Sequence, residues 1–309
     1  MGEHGPSRVL VTGGSGFIGR RVVRALLDDG AEVTVADKRA FPGDGLPDGK
    51  VRTVIGDLCD PSVVAQAVQP DTDVIIHLAA VTRVLLSIED PATTHQVNVE
   101  VTARLLEQAR IHGVKTFLFA STNAVTGDVG RTTSQEGIPL RPLTPYGATK
   151  AAAEMLIGAY AACYGMAGCS LRFSNVYGPG MQEKDSFIPR LMRAARDGTG
   201  VQVYGDGTQV RDLVHVDDVV AGIFAAWRAG FTGPLILGAG ESATVNDMVD
   251  AARGVTGSEI PVEHVPAKPG EMPAVIVDIS AARELGFQPT HDLKSGLATV
   301  WPEFSEAAK

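Results

Sequence analysis

Apolar positions fall in short clusters separated by polar, glycine-marked breaks, and their period changes from one segment to the next. Arg8–Thr12 is a β-branched run closed by glycine, the pattern of a parallel strand covered on both faces. Phe17–Asp29 has helical spacing and stops at Gly30. Glu32–Ala36 and Val51–Ile55 read as the next two strands, joined by a polar Gly/Pro/Asp loop at 42–50. Asp60-Pro61 opens a helix, and Asp73–His77 is a fourth strand. A long helix is expected over Pro91–His112, ending at Gly113, then a strand over Lys115–Ala120. A helix over Pro145–Tyr164 and a strand over Cys169–Phe173 complete the alternation. Strands alternating with helices predict an α/β protein built on a doubly wound parallel sheet. After Asn175 the segments shorten between glycines and prolines, so a smaller second α/β domain is expected over 176–309.

Two motifs bring chemistry to this frame. Gly13, Gly16 and Gly19 stand three apart between the first strand and the first helix. Glycines there allow a tight turn and close approach of a pyrophosphate to the helix N-terminus, the Rossmann arrangement for a dinucleotide. Asp37 closes the second strand, where a carboxylate accepts hydrogen bonds from an adenosine ribose and repels a 2′-phosphate, favouring NAD over NADP. Lys38 and Arg39 follow directly; they read as solvated loop charges, with a phosphate contact as the alternative. The second motif is Tyr146-Gly-Ala-Thr-Lys150. Residues four apart share a helix face, so the Lys150 ammonium is expected beside the Tyr146 phenol. A tyrosine titrates at about 10, and a neighbouring cation lowers that. A dinucleotide loop followed by such a pair points to hydride chemistry on an alcohol or ketone.

Composition narrows the classes. With 309 residues and 44% apolar content the chain can bury a sizeable core. A net charge of −9 speaks against a sequence-independent hold on nucleic acid. Cys59, Cys163 and Cys169 form no disulfide or zinc pattern, and the seven histidines show no metal spacing, so no metal is expected. The N-terminus has no apolar leader and no run approaches the ~20 residues that span a bilayer, so a cytoplasmic protein off the membrane is expected.

Taken in order, these residues resemble the extended short-chain dehydrogenase/reductases, specifically the NAD-dependent nucleotide-sugar epimerase/dehydratase family. The resemblance runs from Val9 to about Leu297. Thr-Gly-Gly-Ser-Gly-Phe17-Ile18-Gly19 is similar to the family's cofactor loop, and Gly-Asp57-Leu58 to its adenine contact. His77-Leu78-Ala79-Ala80 resembles the segment along the cofactor, and Asn98 the structural asparagine. Ser121 takes a cofactor-side place, and Thr122 that of the catalytic Ser or Thr beside Tyr146 and Lys150. The resemblance implies NAD as cofactor, a 1–175 NAD-binding domain with a segment near 211–230 returning to it, and a nucleotide-sugar domain over 176–309. It implies a nucleotide-diphosphate sugar as substrate, with Thr82, Asn123, Asn175, Phe187, Ile188, Tyr204, Arg211, Lys268 and Glu271 as its contacts. It also implies a homodimer through helices 92–112 and 145–164.

Departures from the family pattern bear on the reaction. The 4,6-dehydratases need an Asp-Glu pair after the catalytic threonine, and this chain has Asn123-Ala124. A carboxylated sugar is disfavoured by Leu85, where relatives acting on uronates often carry arginine. The reading is a nucleotide-sugar 4-epimerase working through a transient 4-keto sugar. The alternatives are a 4-ketoreductase of a deoxysugar pathway and a non-catalytic NAD-binding scaffold or sensor.

Overall fold

The computed structural model describes residues 7–43, 51–267 and 272–305. The expected Lys268 and Glu271 contacts, and part of the loop before Val51, lie outside the described residues. The chain divides into two compact units, Met1–Gly127 with Ile138–Arg172 and Ile223–Leu235, and Asp128–Gly137 with Phe173–Gly222 and Ile236–Lys309.

In the first unit the strands are β1 (Arg8–Thr12), β2 (Glu32–Asp37), β3 (Val51–Ile55), β4 (Val74–His77), β5 (Thr116–Thr122) and β6 (Ala167–Phe173). The helices are α1 (Phe17–Asp28), α2 (Pro61–Ala67), α3 (Val84–Glu89), α4 (Pro91–His95), α5 (Val101–His112) and α6 (Pro145–Tyr164). The sheet runs β3-β2-β1-β4-β5-β6, with one more strand, Gly233–Leu237, on the far side of β6. That is the doubly wound order, reversing between β1 and β4, and ligands of such sheets bind outside the strand ends at that point. The β1–β2, β2–β3, β1–β4 and β4–β5 pairings are parallel.

Local chemistry explains the boundaries. Asp60 caps α2 by accepting from Ser62 N, with Pro61 in the first turn. Thr144 caps α6 by accepting from Gly147 N, and Gly165 ends it in the left-handed conformation. The helix expected over 91–112 is continuous but holds a π-helical turn at Gln96–Glu100, in which Asn98 is buried. The short exposed α3 was not foreseen. Leu10, Ile75, Leu105, Leu106, Phe117 and Phe119 form the middle of the core, each at most 1% exposed. Full burial of one such side chain contributes about 1.5–3 kcal/mol.

The second unit adds β7 (Asn175–Tyr177), β8 (Val201–Tyr204), β9 (Val210–His215), β10 (Gly233–Leu237, whose larger part groups with the first unit), β11 (Ser242–Thr244), β12 (Val262–Val265) and β13 (Ala274–Val275). Its helices are α7 (Phe187–Asp197), α8 (Val216–Arg228, shared with the first unit), α9 (Val245–Thr256), α10 (Ser280–Glu284) and α11 (Leu293–Ser305). β9 is flanked by β11 and β13 and also pairs β7, while β8 pairs β12. Residues 128–137 join this unit because Ser134 exchanges backbone bonds with Ile276 (2.8 Å) and Asp278 (2.9 Å).

Candidate active site

The glycine loop is shaped for close approach. Gly13 has φ 70°, and a Cβ there would lie 2.7 Å from Ala79 N. A Cβ on Gly19 would lie 2.2 Å from the Gly13 carbonyl, so a side chain would force the loop off the helix. Gly16 is the N-cap of α1 and no side chain caps that end, so the start of the helix at Phe17, Ile18 and Gly19 presents its positive dipole end toward an anion. These features fit a dinucleotide pyrophosphate.

Asp37 ends β2 with both oxygens engaged. Oδ2 accepts from Ser15 N at 3.0 Å and Oδ1 from Arg39 N at 3.0 Å. Lys38 pairs with Asp57 at 3.0 Å, and both are substantially exposed. The Cys59 amide foremost, then Lys38, holds the Asp57 carboxyl below its usual range against the cost of burial. Leu58 is buried beneath it, while Leu78, Ala79 and Ala80 follow β4 half-buried. Thr82, four residues beyond Leu78, is exposed.

A buried chain of hydrogen bonds sets this cradle. Thr102 Oγ1 donates to the Asn98 carbonyl (2.8 Å), so it accepts from His77 Nε2–H (3.0 Å). His77 Nδ1 then accepts from Thr12 Oγ1 (2.6 Å), which itself accepts from Ala79 N (3.3 Å). Burial, then the nearby Lys150 ammonium, pushes the His77 imidazole down to about 3, so the ring is neutral. Asn98 accepts from Val81 N (2.8 Å) and donates to Val81 O (3.0 Å) and Thr149 Oγ1 (3.1 Å), tying the cofactor segment to α6.

Thr122 and Tyr146 come together: burial raises the Tyr146 pKa, and Thr122 is the group that opposes that rise. Thr122 Oγ1 also donates to Asn123 Oδ1 (3.3 Å) and accepts from Ala124 N (3.2 Å). The Tyr146 amide donates to Ser87 Oγ (3.1 Å), which gives α3 a place in the site. The Lys150 Nζ donates to the Ala120 carbonyl (2.9 Å) and sits 4.5 Å from the Phe119 ring centre. Burial lowers the Lys150 pKa to about 7, with Glu154 opposing.

Ser121 is buried near the end of β5. Its hydroxyl donates to the buried Glu154 carboxylate, which also receives Arg172 Nε (3.1 and 3.2 Å) and Arg172 NH2 (2.8 Å). Neither Glu154 nor Arg172 was foreseen in the site, although Glu154 stands one turn after Lys150.

In the second unit the expected substrate contacts are spread over four elements, β7, α7, β8 and β9. Phe187 and Tyr204 line one cavity of about 370 Å³, together with Asp185, Arg190 and Arg193. Arg190 and Arg193 are additions to the expected set. Ile188 is 3% exposed, so its side chain belongs to the core. Exposed Asn175 donates through Nδ2 to the Asp212 carbonyl (2.8 Å), and Arg211 lies next to it on β9. Asp217 and Asp218 sit in the first turn of α8, but Asp218 accepts from Thr290 N (2.9 Å) and His291 N (3.2 Å). It ties down that loop instead of capping the helix. Among the described residues, His215, Asp217 and His291 bring ligating atoms within 4.8 Å of one another. The two imidazoles are stacked at 3.9 Å and bonded to Thr299 and Asp218, so their lone pairs do not converge on one point.

Fold, cofactor loop and Thr/Tyr/Lys set define a class, and sequence comparison agrees: the NAD dependent epimerase/dehydratase family matches residues 9–236, and the chain belongs to that family. NAD is its cofactor. The chain is 36% identical to the dTDP-glucose 4,6-dehydratase of Streptomyces griseus over 307 residues, covering 95% of this chain and 93% of the relative. The UDP-glucose 4-epimerase of Thermotoga maritima, solved with UDP-glucose, superposes with a TM-score of 0.91 at 30% identity, over 98% of this chain and 100% of that one. The UDP-glucose 4-epimerase of Thermus thermophilus, solved with NAD, gives 0.88 at 33% identity, over 97% and 99%.

Proposed function

We propose that the protein is a nucleotide-sugar 4-epimerase. The observation that carries the reading is that Thr122, close enough to Tyr146 to act on its phenol, is followed directly by Asn123 and Ala124. With NAD to take and return the hydride, oxidation and re-reduction of an alcohol needs no acid or base beyond that pair. An elimination also needs an acid to protonate a leaving hydroxyl and a base to remove a carbon-bound proton, and the two side chains after Thr122 carry neither.

When bound in the glycine loop, NAD would supply reversible hydride acceptance and, in its oxidised form, a positive charge. Tyr146 takes the C4 hydroxyl proton as the alcohol becomes a ketone. Thr122 donates to the substrate oxygen, steadying the charge that grows there. After the ketone has turned in the site, Tyr146 returns the proton and the alcohol forms with C4 inverted. Burial holds the Tyr146 pKa above that of a free phenol, so the charges that arrive with the ligands must bring it down for the proton transfer. The nucleotide is assigned to Asn175, Phe187, Tyr204 and Arg211, a reading supported by the cavity beside Phe187 and Tyr204 with its two arginines.

Tyr146→Phe keeps the ring and removes the proton acceptor. Turnover should fall about 10²–10⁴-fold with NAD affinity nearly unchanged. A variant keeping more than roughly a tenth of wild-type rate would remove Tyr146 from the role.

A further inference from the structure

Beneath the candidate catalytic pair lies a charge cluster that the proposed reaction does not use. Lys150 is 2% exposed, and the Glu154 and Arg172 side chains are 6% and 4% exposed. Glu154 follows Lys150 by one helical turn, so both face the same way from α6. Its carboxylate is fixed from two strands: Arg172 of β6 grips it through Nε and NH2, and Ser121 of β5 donates to it. The groups that face Lys150 are Tyr146 and Glu154 on its own helix, the Ala120 carbonyl and Phe119 ring on β5, neutral His77 on β4, and Arg172 on β6 behind Glu154. Within that set the Ala120 carbonyl and the Phe119 ring favour a charged lysine as neutral dipoles, and Glu154 is the one group of opposite charge.

We propose that Glu154 is a positioning residue for Lys150: pinned by Arg172 and Ser121, it is the fixed countercharge that keeps a buried ammonium protonated on the β5 carbonyl. A lone buried ammonium loses its proton to escape desolvation. An Arg–carboxylate fork is the arrangement that holds a countercharge in place without its own side-chain freedom. Arg172 is thus the clamp, and Ser121 is committed to it. This rests on the reading that Lys150 serves the Tyr146 chemistry.

The direct test is the titration of the Lys150 Cε resonance in selectively ¹³C-labelled full-length protein, wild type against Glu154→Gln. The amide keeps the shape and removes the charge. The Lys150 midpoint should fall by about one pH unit or more, and the alkaline limb of the activity profile should move down by the same amount, with activity recovering at lower pH. An unchanged midpoint overturns the proposal. If Glu154→Gln by itself unfolds the chain, Glu154→Gln with Arg172→Gln replaces the ion pair by two neutral amides and carries the same expectation. In wild type, the Glu154 carboxyl carbon should also register the Lys150 titration; silence there overturns the proposal without any variant. A shifted midpoint with an unshifted activity profile would leave the charge coupling standing and remove Lys150 from the reaction.

Discussion

At the scale of single residues, Asp37 shows how a side chain selects between two cofactors that differ by one phosphate. Its oxygens are oriented by the Ser15 and Arg39 amides, so the carboxylate is presented in one geometry and not left to swing. Lys38, a cation able to welcome a 2′-phosphate, is engaged with Asp57. Exposed pairs of that kind are worth at most about 1 kcal/mol, so the proposal that Asp37 makes the choice by repulsion is tested against Lys38 directly. Asp37→Asn should weaken NAD about tenfold and raise the NADP to NAD affinity ratio, read by titration of each cofactor. Equal affinity in the wild type would show that Lys38 or Arg39 governs instead. The place of Asp37 at the end of the second strand was legible in the sequence. The commitment of Ser121 to Glu154 was not, because it depends on Arg172 arriving from a strand 18 residues beyond Glu154.

At the scale of elements, His77 joins β1, β4 and α5 through hydrogen bonds on both ring nitrogens. Its pKa is depressed to about 3, so in the native state it stays neutral while the unfolded chain takes up a proton near 6.5. Stability from this group is therefore present above pH 6.5 and lost as the pH falls toward 3, by about 1.4 kcal/mol per pH unit between the two. His77→Gln should flatten that acid slope in denaturant titrations at pH 6, 5 and 4, whatever it does to the stability at pH 7. An unchanged slope would mean the ring titrates freely in the fold. The six strands of the first unit up to Phe173 were legible because short β-branched runs and glycine stops are local signals. The π-helical turn was not, since it exists to turn Asn98 toward Val81 and Thr149, partners 17 and 51 residues away. Nor was α3, whose Val84-Leu-Leu-Ser-Ile-Glu carries apolar residues on an exposed face and has no side-chain cap.

At the scale of the whole molecule, the first unit leaves large apolar side chains in solvent. Leu85 is 72% exposed, Met155 69%, Ile88 57%, Tyr164 56% and Ile111 55%. Exposed apolar groups gathered on neighbouring helices favour association. A homodimer through the 92–112 and 145–164 helices is proposed on that basis. Ala151 and Ala153 face inward, at 6% and 0% exposure, so Met155 and Tyr164 carry the outer face of α6. Light scattering at micromolar protein should give twice the 32.4 kDa chain mass, and Met155→Glu should shift the particle toward the monomer. An active wild-type monomer would end the proposal. Among the described residues no helix is long and apolar enough to cross a membrane.

The reaction itself is tested most directly by its product. Purified protein loaded with NAD should be incubated separately with UDP-glucose and dTDP-glucose, and the sugar followed by proton NMR while the reduced cofactor is followed by absorbance. A mixture of gluco and galacto configurations at C4, with the C6 hydroxyl intact and no net change in reduced cofactor, is the predicted result. A 4-keto-6-deoxy product, or stoichiometric consumption of added NADH, would contradict it.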